Sequence, residues 1–303
     1  MLKTIMELLD EKKKCYAVLA PTNKACRNLG KNALTIHKFL GSAMGDTKTL
    51  KKQIENKDYI IIDEISMVKE VFYCLFLSLK KLKPTLKFII AGDSRQIDPV
   101  NDRVKFNYLN SRTLHELCDG DRLLLTKCRR SNKKLFDFSL SLNLNIVQIG
   151  KQEHLTSICF TNAKRIERNR YWMDRLAPNC NVIVKALSWD PNSQDMKVYK
   201  GLPIIARVNN KQFDIANSEM FTVKEVDNKK NHVVITDDVD DKVIPLDQMS
   251  RLFYPAYCVT THKFQGSSID KPFTVYEWNK MDKKLKYTAV TRSTKLEYLN
   301  IIV

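Results

Sequence analysis

Asp58-Tyr59-Ile60-Ile61-Ile62-Asp63-Glu64 decides how this chain folds, and Gly92-Asp93-Ser94-Arg95-Gln96 answers it. An apolar β-branched run bounded by charge reads as a buried strand, and carboxylates at the carboxyl end of such a strand lie where open α/β sheets bind ligands. Asp63 there can hold Mg2+ on a nucleoside triphosphate, and Glu64 can position and deprotonate an attacking water. An Asp-Glu pair after an apolar run also serves as a plain solvated strand end. The second run narrows the choice. Leu86 to Ala91 (LKFIIA) is another short strand pattern, ending in Gly-Asp and followed by Gln96, a neutral side chain able to hydrogen-bond a terminal phosphate or its water. Two consecutive strands with polar tips imply one shared site.

Seven blocks follow one another in a familiar order. DEIS (63–66) and GDSRQIDPV (92–100) are joined by APTNKA (20–25), TIHKFLG (35–41), LTKCRR (125–130), THKFQGSS (261–268) and YTAVTRS (287–293). Together they resemble motifs II, III, Ia, Ib, IV, V and VI of the superfamily 1B helicases, the RecD/Pif-type DNA helicases. The resemblance spans nearly the whole chain. It implies an α/β protein of two RecA-like P-loop NTPase lobes, with parallel sheets flanked by helices and a small β-barrel-like insertion in the second lobe. It further implies work in DNA repair, recombination or replication.

Composition fits a nucleic-acid partner. The 303 residues carry a formal charge of +17 and a pI near 9.4, which favours an acidic partner over a small neutral substrate. The 44% hydrophobic content suffices for ordinary cores, and the length suggests about two domains. Eight cysteines are scattered without a C-x-x-C pair or zinc spacing, so they read as reduced thiols of an intracellular protein. The longest strongly apolar stretch, Val71 to Leu79, is too short to span a bilayer, and Lys3, Glu7, Asp10 and Glu11 stand where a signal peptide would be apolar.

At the amino end, Leu2, Ile5, Met6, Leu8 and Leu9 form one helical stripe, followed by a strand over Cys15 to Ala20. In the family a G-x-x-x-x-G-K-[ST] loop precedes this first helix. The only Gly-Lys pairs here, Gly30-Lys31 and Gly150-Lys151, lack the upstream glycine and the following hydroxyl. The expectation is therefore a chain truncated before or within its first helix, binding ATP poorly as it stands. A partner that completes the nucleotide site is a further possibility.

The resemblance places Thr22, Asn23 and Lys24 against the backbone of single-stranded DNA; Thr22 or Asn23 would equally serve as a plain helix cap. It places His37, Lys38 and Phe39 there too, the histidine and lysine on phosphates and the phenylalanine under a base. A lone histidine beside apolar residues is also a common structural feature. Ser66 to Leu82 reads as one long helix. The residues between Lys197 and Ser250 change to short β-type runs at 201–208, 220–226, 232–236 and 243–246, separated by Asn and Asp turns.

By the same resemblance Arg129 and Arg292 are the arginines that stabilise charge on the transferred phosphoryl group, with Arg130 a surface or DNA-facing neighbour. His262 and Lys263 lie near the nucleic-acid backbone, and Gln265 and Gly266 toward the nucleotide. A helix is expected to begin at the hydroxyls of Ser267 and Ser268. The domains expected are a first lobe over 1–110, the start of a second over 111–196, the β insertion over 197–250 and the end of the second lobe over 251–303. The reading that results is an ATP- and Mg2+-dependent helicase moving 5′ to 3′ on single-stranded DNA, with cleft closure driving movement. DNA is not separated from RNA by the sequence. The alternative is a non-catalytic nucleic-acid-binding subunit or remnant.

Overall fold

The computed structural model describes residues 1–41, 46–99, 107–108, 110–146 and 153–303. Val100, at the end of the GDSRQIDPV block, and the Gly150-Lys151 pair lie outside them. The chain divides into two units, Met1–Thr126 and Lys127–Val303.

The first unit runs α1 (Leu2–Glu11), β1 (Tyr16–Ala20), α2 (Asn23–Leu29), β2 (Leu34–Thr35), α3 (Ile36–Leu40), α4 (Thr47–Ile54), β3 (Tyr59–Ile62), α5 (Glu70–Leu82), β4 (Lys87–Ile90) and α6 (Arg112–Leu117). Its four strands form a parallel sheet in the order β2-β1-β3-β4. The isoleucine run is the interior strand. Ile60 and Ile62 belong to a core built with Phe72, Phe76, Leu79 and Phe88, while Ile61 packs in a separate core with Leu2, Leu9, Val18 and Leu29. The period of two along a strand therefore spends all three isoleucines, each fully buried, on two helical layers. Each burial contributes on the order of 1.5–3 kcal/mol.

Two features correct the sequence reading. The helix expected from Ser66 begins at Glu70: Ile65–Met67 is a single 3-10 turn, and Val68 and Lys69 are extended. The turn is held by Tyr73, whose hydroxyl donates to the Ile65 carbonyl at 3.0 Å, and by Val68, which is buried. The segment after residue 110 packs with the first unit. Lys80 donates to the Leu117 carbonyl at 2.7 Å and pairs with Asp119 at 2.6 Å, and Lys87 reaches the same carboxylate at 2.9 Å. These bonds tie the end of α6 to α5 and β4.

The second unit runs α7 (Lys133–Ser141), β5 (Ser157–Cys159), α8 (Asn162–Leu176), β6 (Ile183–Val184), β7 (Met196–Lys197), β8 (Pro203–Ala206), β9 (Met220–Asp227), β10 (His232–Thr236), β11 (Asp241–Pro245), α9 (Met249–Leu252), β12 (Phe253–Pro255), β13 (Cys258–Thr260), α10 (Thr261–Phe264), β14 (Phe273–Val275), α11 (Lys283–Val290) and β15 (Leu299–Ile301). A parallel sheet in the order β13-β5-β14-β15 adjoins a five-stranded antiparallel sheet, β11-β10-β9-β8-β12, and a two-stranded ribbon, β6-β7. Alternate residues of the antiparallel strands, among them Phe221, Val223, Val233, Ile235 and Ile244, enter one core with Ile204 and Phe253. The β region thus takes in β12, beyond the expected limit at Ser250, because Phe253–Pro255 pairs with β8.

No helix of the described residues is long and apolar enough to cross a membrane. Nor does a helix start at Ser267-Ser268. The helix there is the short α10 that precedes them, and Ile269 instead makes an isolated bridge to Ser293.

Candidate functional site

In the first unit the tips of β3 and β4 are joined by backbone. Ala91 N–H donates to the Ile62 carbonyl at 2.8 Å, and the chain then crosses over, Ile65 N–H donating to the Ala91 carbonyl at 3.0 Å. Gly92 makes the crossing possible. A Cβ at that position would lie 2.4 Å from Ile65 Cγ2 and 2.6 Å from Ile65 N. Between the two bonds Glu64 turns the chain through left-handed backbone (φ 55°, ψ 49°), a conformation that costs a non-glycine residue about 1 kcal/mol or more.

Asp63 is half-buried at the end of β3, its N–H donating to the Leu19 carbonyl at 3.0 Å. Burial pushes its carboxyl above the usual aspartate value, opposed in part by the Glu64 backbone N–H. An ionised carboxylate in that setting gains from a cation. One such carboxylate completed by waters and phosphate oxygens is a normal Mg2+ arrangement, so the residue fits that ion. The neighbouring Asp93 is committed within its own loop: Arg95 grips both its oxygens, Nε at 2.9 Å and Nη2 at 3.0 Å, and the Gln96 N–H closes the turn on the Asp93 carbonyl at 3.1 Å.

The expected nucleic-acid residues of this unit separate by burial. Thr22 caps α2, its hydroxyl accepting from Ala25 N–H at 3.1 Å, so the capping role is present whatever else the residue does. Asn23 is exposed and Lys24 half-buried. On α3, His37 and Lys38 are exposed, His37 meeting the Phe72 ring edge-on at 4.8 Å. Phe39 departs from expectation. It is 6% exposed and belongs to the core with Ile36 and Leu40, so it offers no face to a base.

In the second unit three of the motif blocks converge on Ser267. Its carbonyl accepts from Arg130 Nη2 at 2.9 Å and from Arg292 Nη1 at 3.1 Å, and Arg130 also reaches the Ser268 hydroxyl. Ile269 N–H donates to the Arg292 carbonyl at 2.7 Å. Arg292 is buried, with Nε donating to the Thr288 carbonyl at 2.9 Å. Arg129, expected to be the phosphate arginine, is exposed, and Arg130 is the one fastened to the loop. Residue type cannot tell two adjacent arginines apart in a stretch without regular structure.

Of the THKFQGSS block, Gln265 is buried, His262 is exposed, and Lys263 donates to the Arg207 carbonyl at 3.4 Å and to the Asn217 side chain. Partial desolvation by the surrounding protein lowers the His262 imidazole pKa below its ordinary value, against the pull of Asp282. Gly266 has φ +78° but nothing within 4 Å of an added Cβ, so backbone conformation, not crowding, calls for glycine. The links from Lys263 to Arg207 and Asn217 fall in the β region, to which the sequence assigned no role. Contacts between residues so far apart leave no local signal. Among the described residues no group of three or more His, Cys, Asp or Glu is placed to hold a metal.

Residues 1–102 match the AAA domain family. No curated protein matches the chain in sequence. Solved structures do match it over almost its whole length. These include the Pif1 helicase from Candida albicans (TM-score 0.69, 17% identity, 99% of this chain and 87% of that one), Bacteroides Pif1 bound to single-stranded DNA (0.67, 18%, 99% and 86%), and the Bacteroides enzyme in complex with ADP-AlF3 and single-stranded DNA (0.64, 17%, 98% and 84%). The fold is therefore that of the Pif1 helicases, two RecA-like sheets with an antiparallel β region in the second half.

Proposed function

We propose that this chain is the core of an ATP-driven motor on single-stranded DNA, a superfamily 1B helicase moving 5′ to 3′. The observation that carries the reading is the joined tip of β3 and β4, where a half-buried Asp63, a strained Glu64 and the loop of Gln96 are fastened together by the Ile65–Ala91 bond and the Gly92 contact. It is supported by the likeness to Pif1 helicases whose structures contain ADP-AlF3 and single-stranded DNA.

In this reading Asp63 holds Mg2+, and the ion when bound neutralises phosphate charge. Glu64 accepts the proton of the attacking water, and Gln96 hydrogen-bonds the terminal phosphate. Arg129 and Arg292 stabilise charge on the transferred group, Gln265 and Gly266 lie toward the nucleotide, and Arg130 holds the Ser267 loop. Thr22, Asn23, Lys24, His37, Lys38, His262 and Lys263 bear on the DNA backbone; Phe39 supports α3 from within.

A second reading is a nucleic-acid-binding subunit without ATPase, for which the formal charge of +17 is the supporting observation. One experiment separates the two. A strand and such a loop are fused ahead of α1, and hydrolysis is followed with and without oligo-dT. The motor reading expects DNA-stimulated turnover, and Glu64→Gln to lower it about 100- to 10,000-fold while oligonucleotide binding is kept. Tight oligonucleotide binding with no turnover in the fused chain would leave the second reading standing.

A further inference from the structure

The loop between β6 and β7 carries Trp189, whose side chain is 72% exposed, whereas Trp278 is buried and Trp172 half-buried. A single exposed apolar side chain is ordinary. This one is fixed. The Arg207 guanidinium lies over the Trp189 ring at 5.4 Å and over the Tyr254 ring at 4.8 Å, and Arg165 lies over Tyr254 at 4.3 Å. Ring and guanidinium thus alternate from a buried arginine out to a tryptophan in solvent.

The layers beneath the tryptophan are held from the side. Arg165 donates to the Asn162 side chain at 3.1 Å and to the Asn192 carbonyl. Arg207 pairs with Asp190 at 2.6 Å and donates to the Ser250 carbonyl at 3.1 Å, and the Tyr254 hydroxyl donates to the same Asp190 at 3.0 Å. The loop itself is stapled by Ala186 N–H to Asp195, Leu187 N–H to Ser193 and Asn192 N–H to Asp190, each at 2.9 Å. The backbone oxygen of Arg207 also receives Lys263, one of the cations assigned to the DNA backbone.

A rigid aromatic face costs little entropy to present, and every base has a π-face to set against it. We infer that Trp189 is a stacking platform for one base of single-stranded nucleic acid, seated on Arg207 and Tyr254. The inference rests on the reading that this chain binds single-stranded DNA, and it adds a contact from the β6–β7 loop, outside the seven motif blocks.

The test uses the full chain with oligo-dT and with an abasic oligomer of equal length, read by tryptophan emission and by anisotropy of a labelled strand. Oligo-dT is expected to quench the emission, and Trp189→Phe to remove most of the quench while binding stays within about twofold. Trp189→Ala is expected to weaken oligo-dT binding about 5- to 150-fold, the equivalent of one base stack. It is expected to leave abasic binding and the salt dependence unchanged, because no phosphate contact is lost. Equal oligo-dT affinity for Trp189→Ala and the unaltered chain, with both folded by circular dichroism, would overturn the platform and leave DNA binding standing. Absence of oligonucleotide binding by the unaltered chain would overturn both.

Discussion

Glu64 occupies left-handed backbone beside a carboxylate whose ionised form is disfavoured by burial. Both features cost folding free energy at one place, as expected of a site kept for chemistry rather than stability. Glu64→Gly is therefore predicted to stabilise the first unit by about 0.5–1 kcal/mol in urea denaturation, the left-handed penalty less the entropy that glycine loses on folding, while removing the proposed base. Gly92→Ala should act in the opposite direction. Its new methyl meets both a side chain and the backbone of Ile65, so the joined strand tips must part, at a cost of about 1–3 kcal/mol by the same measurement. A Gly92→Ala protein of unchanged stability would show that the tips are not locked together.

At the scale of elements, the ends of β14 and β5 are held by one carboxylate. Glu277, itself left-handed at φ 59° and 6% exposed, accepts from Thr161 N–H at 2.8 Å and from the Thr161 hydroxyl at 2.9 Å, and pairs with Lys280 at 3.0 Å. Thr161 also caps α8. Burial alone would push the Glu277 carboxyl up, but the Thr161 N–H, Lys280 and the Thr161 hydroxyl outweigh it and hold the group below the usual glutamate value of 4.5. A depressed pKa contributes stability that is present above 4.5 and lost as pH falls from there through the folded value. Glu277→Gln should thus cost about 1.5–3 kcal/mol at pH 7, with the difference from the unaltered chain shrinking in acid. The elements themselves were largely legible. Apolar runs with polar tips marked β3 and β4, and Asn- and Asp-bounded runs marked the antiparallel strands. Phe39 was misread although the signal was present: Ile36, Phe39 and Leu40 stand at helical spacing, which puts the phenylalanine on the buried face and His37 and Lys38 outside. The start of α5 had no such signal, since Ser66 to Lys69 would fit a helix as well as the turn that Tyr73 imposes from eight residues away. Arg130 and the Trp189 column depend on contacts between distant residues, which spacing cannot express.

At the scale of the whole molecule, the charge of +17 is a statement about partners. Binding of single strands should weaken steeply with salt, the slope of log K against log salt being roughly −0.7 per phosphate neutralised. Lys24→Ala, Lys38→Ala and Lys263→Ala should each lower affinity about equally for all sequences and flatten that slope by about 0.7–1. Unchanged slopes in all three would remove these lysines from the DNA track. Whether this fold is a motor with direction is decided by displacement of streptavidin from biotinylated oligonucleotides, using the chain with the fused phosphate-binding loop. ATP-dependent release is expected from the 3′ end, with none from the 5′ end and loss of release in Glu64→Gln. Release from the 5′ end, or DNA-stimulated hydrolysis with release from neither, would contradict the 5′ to 3′ motor.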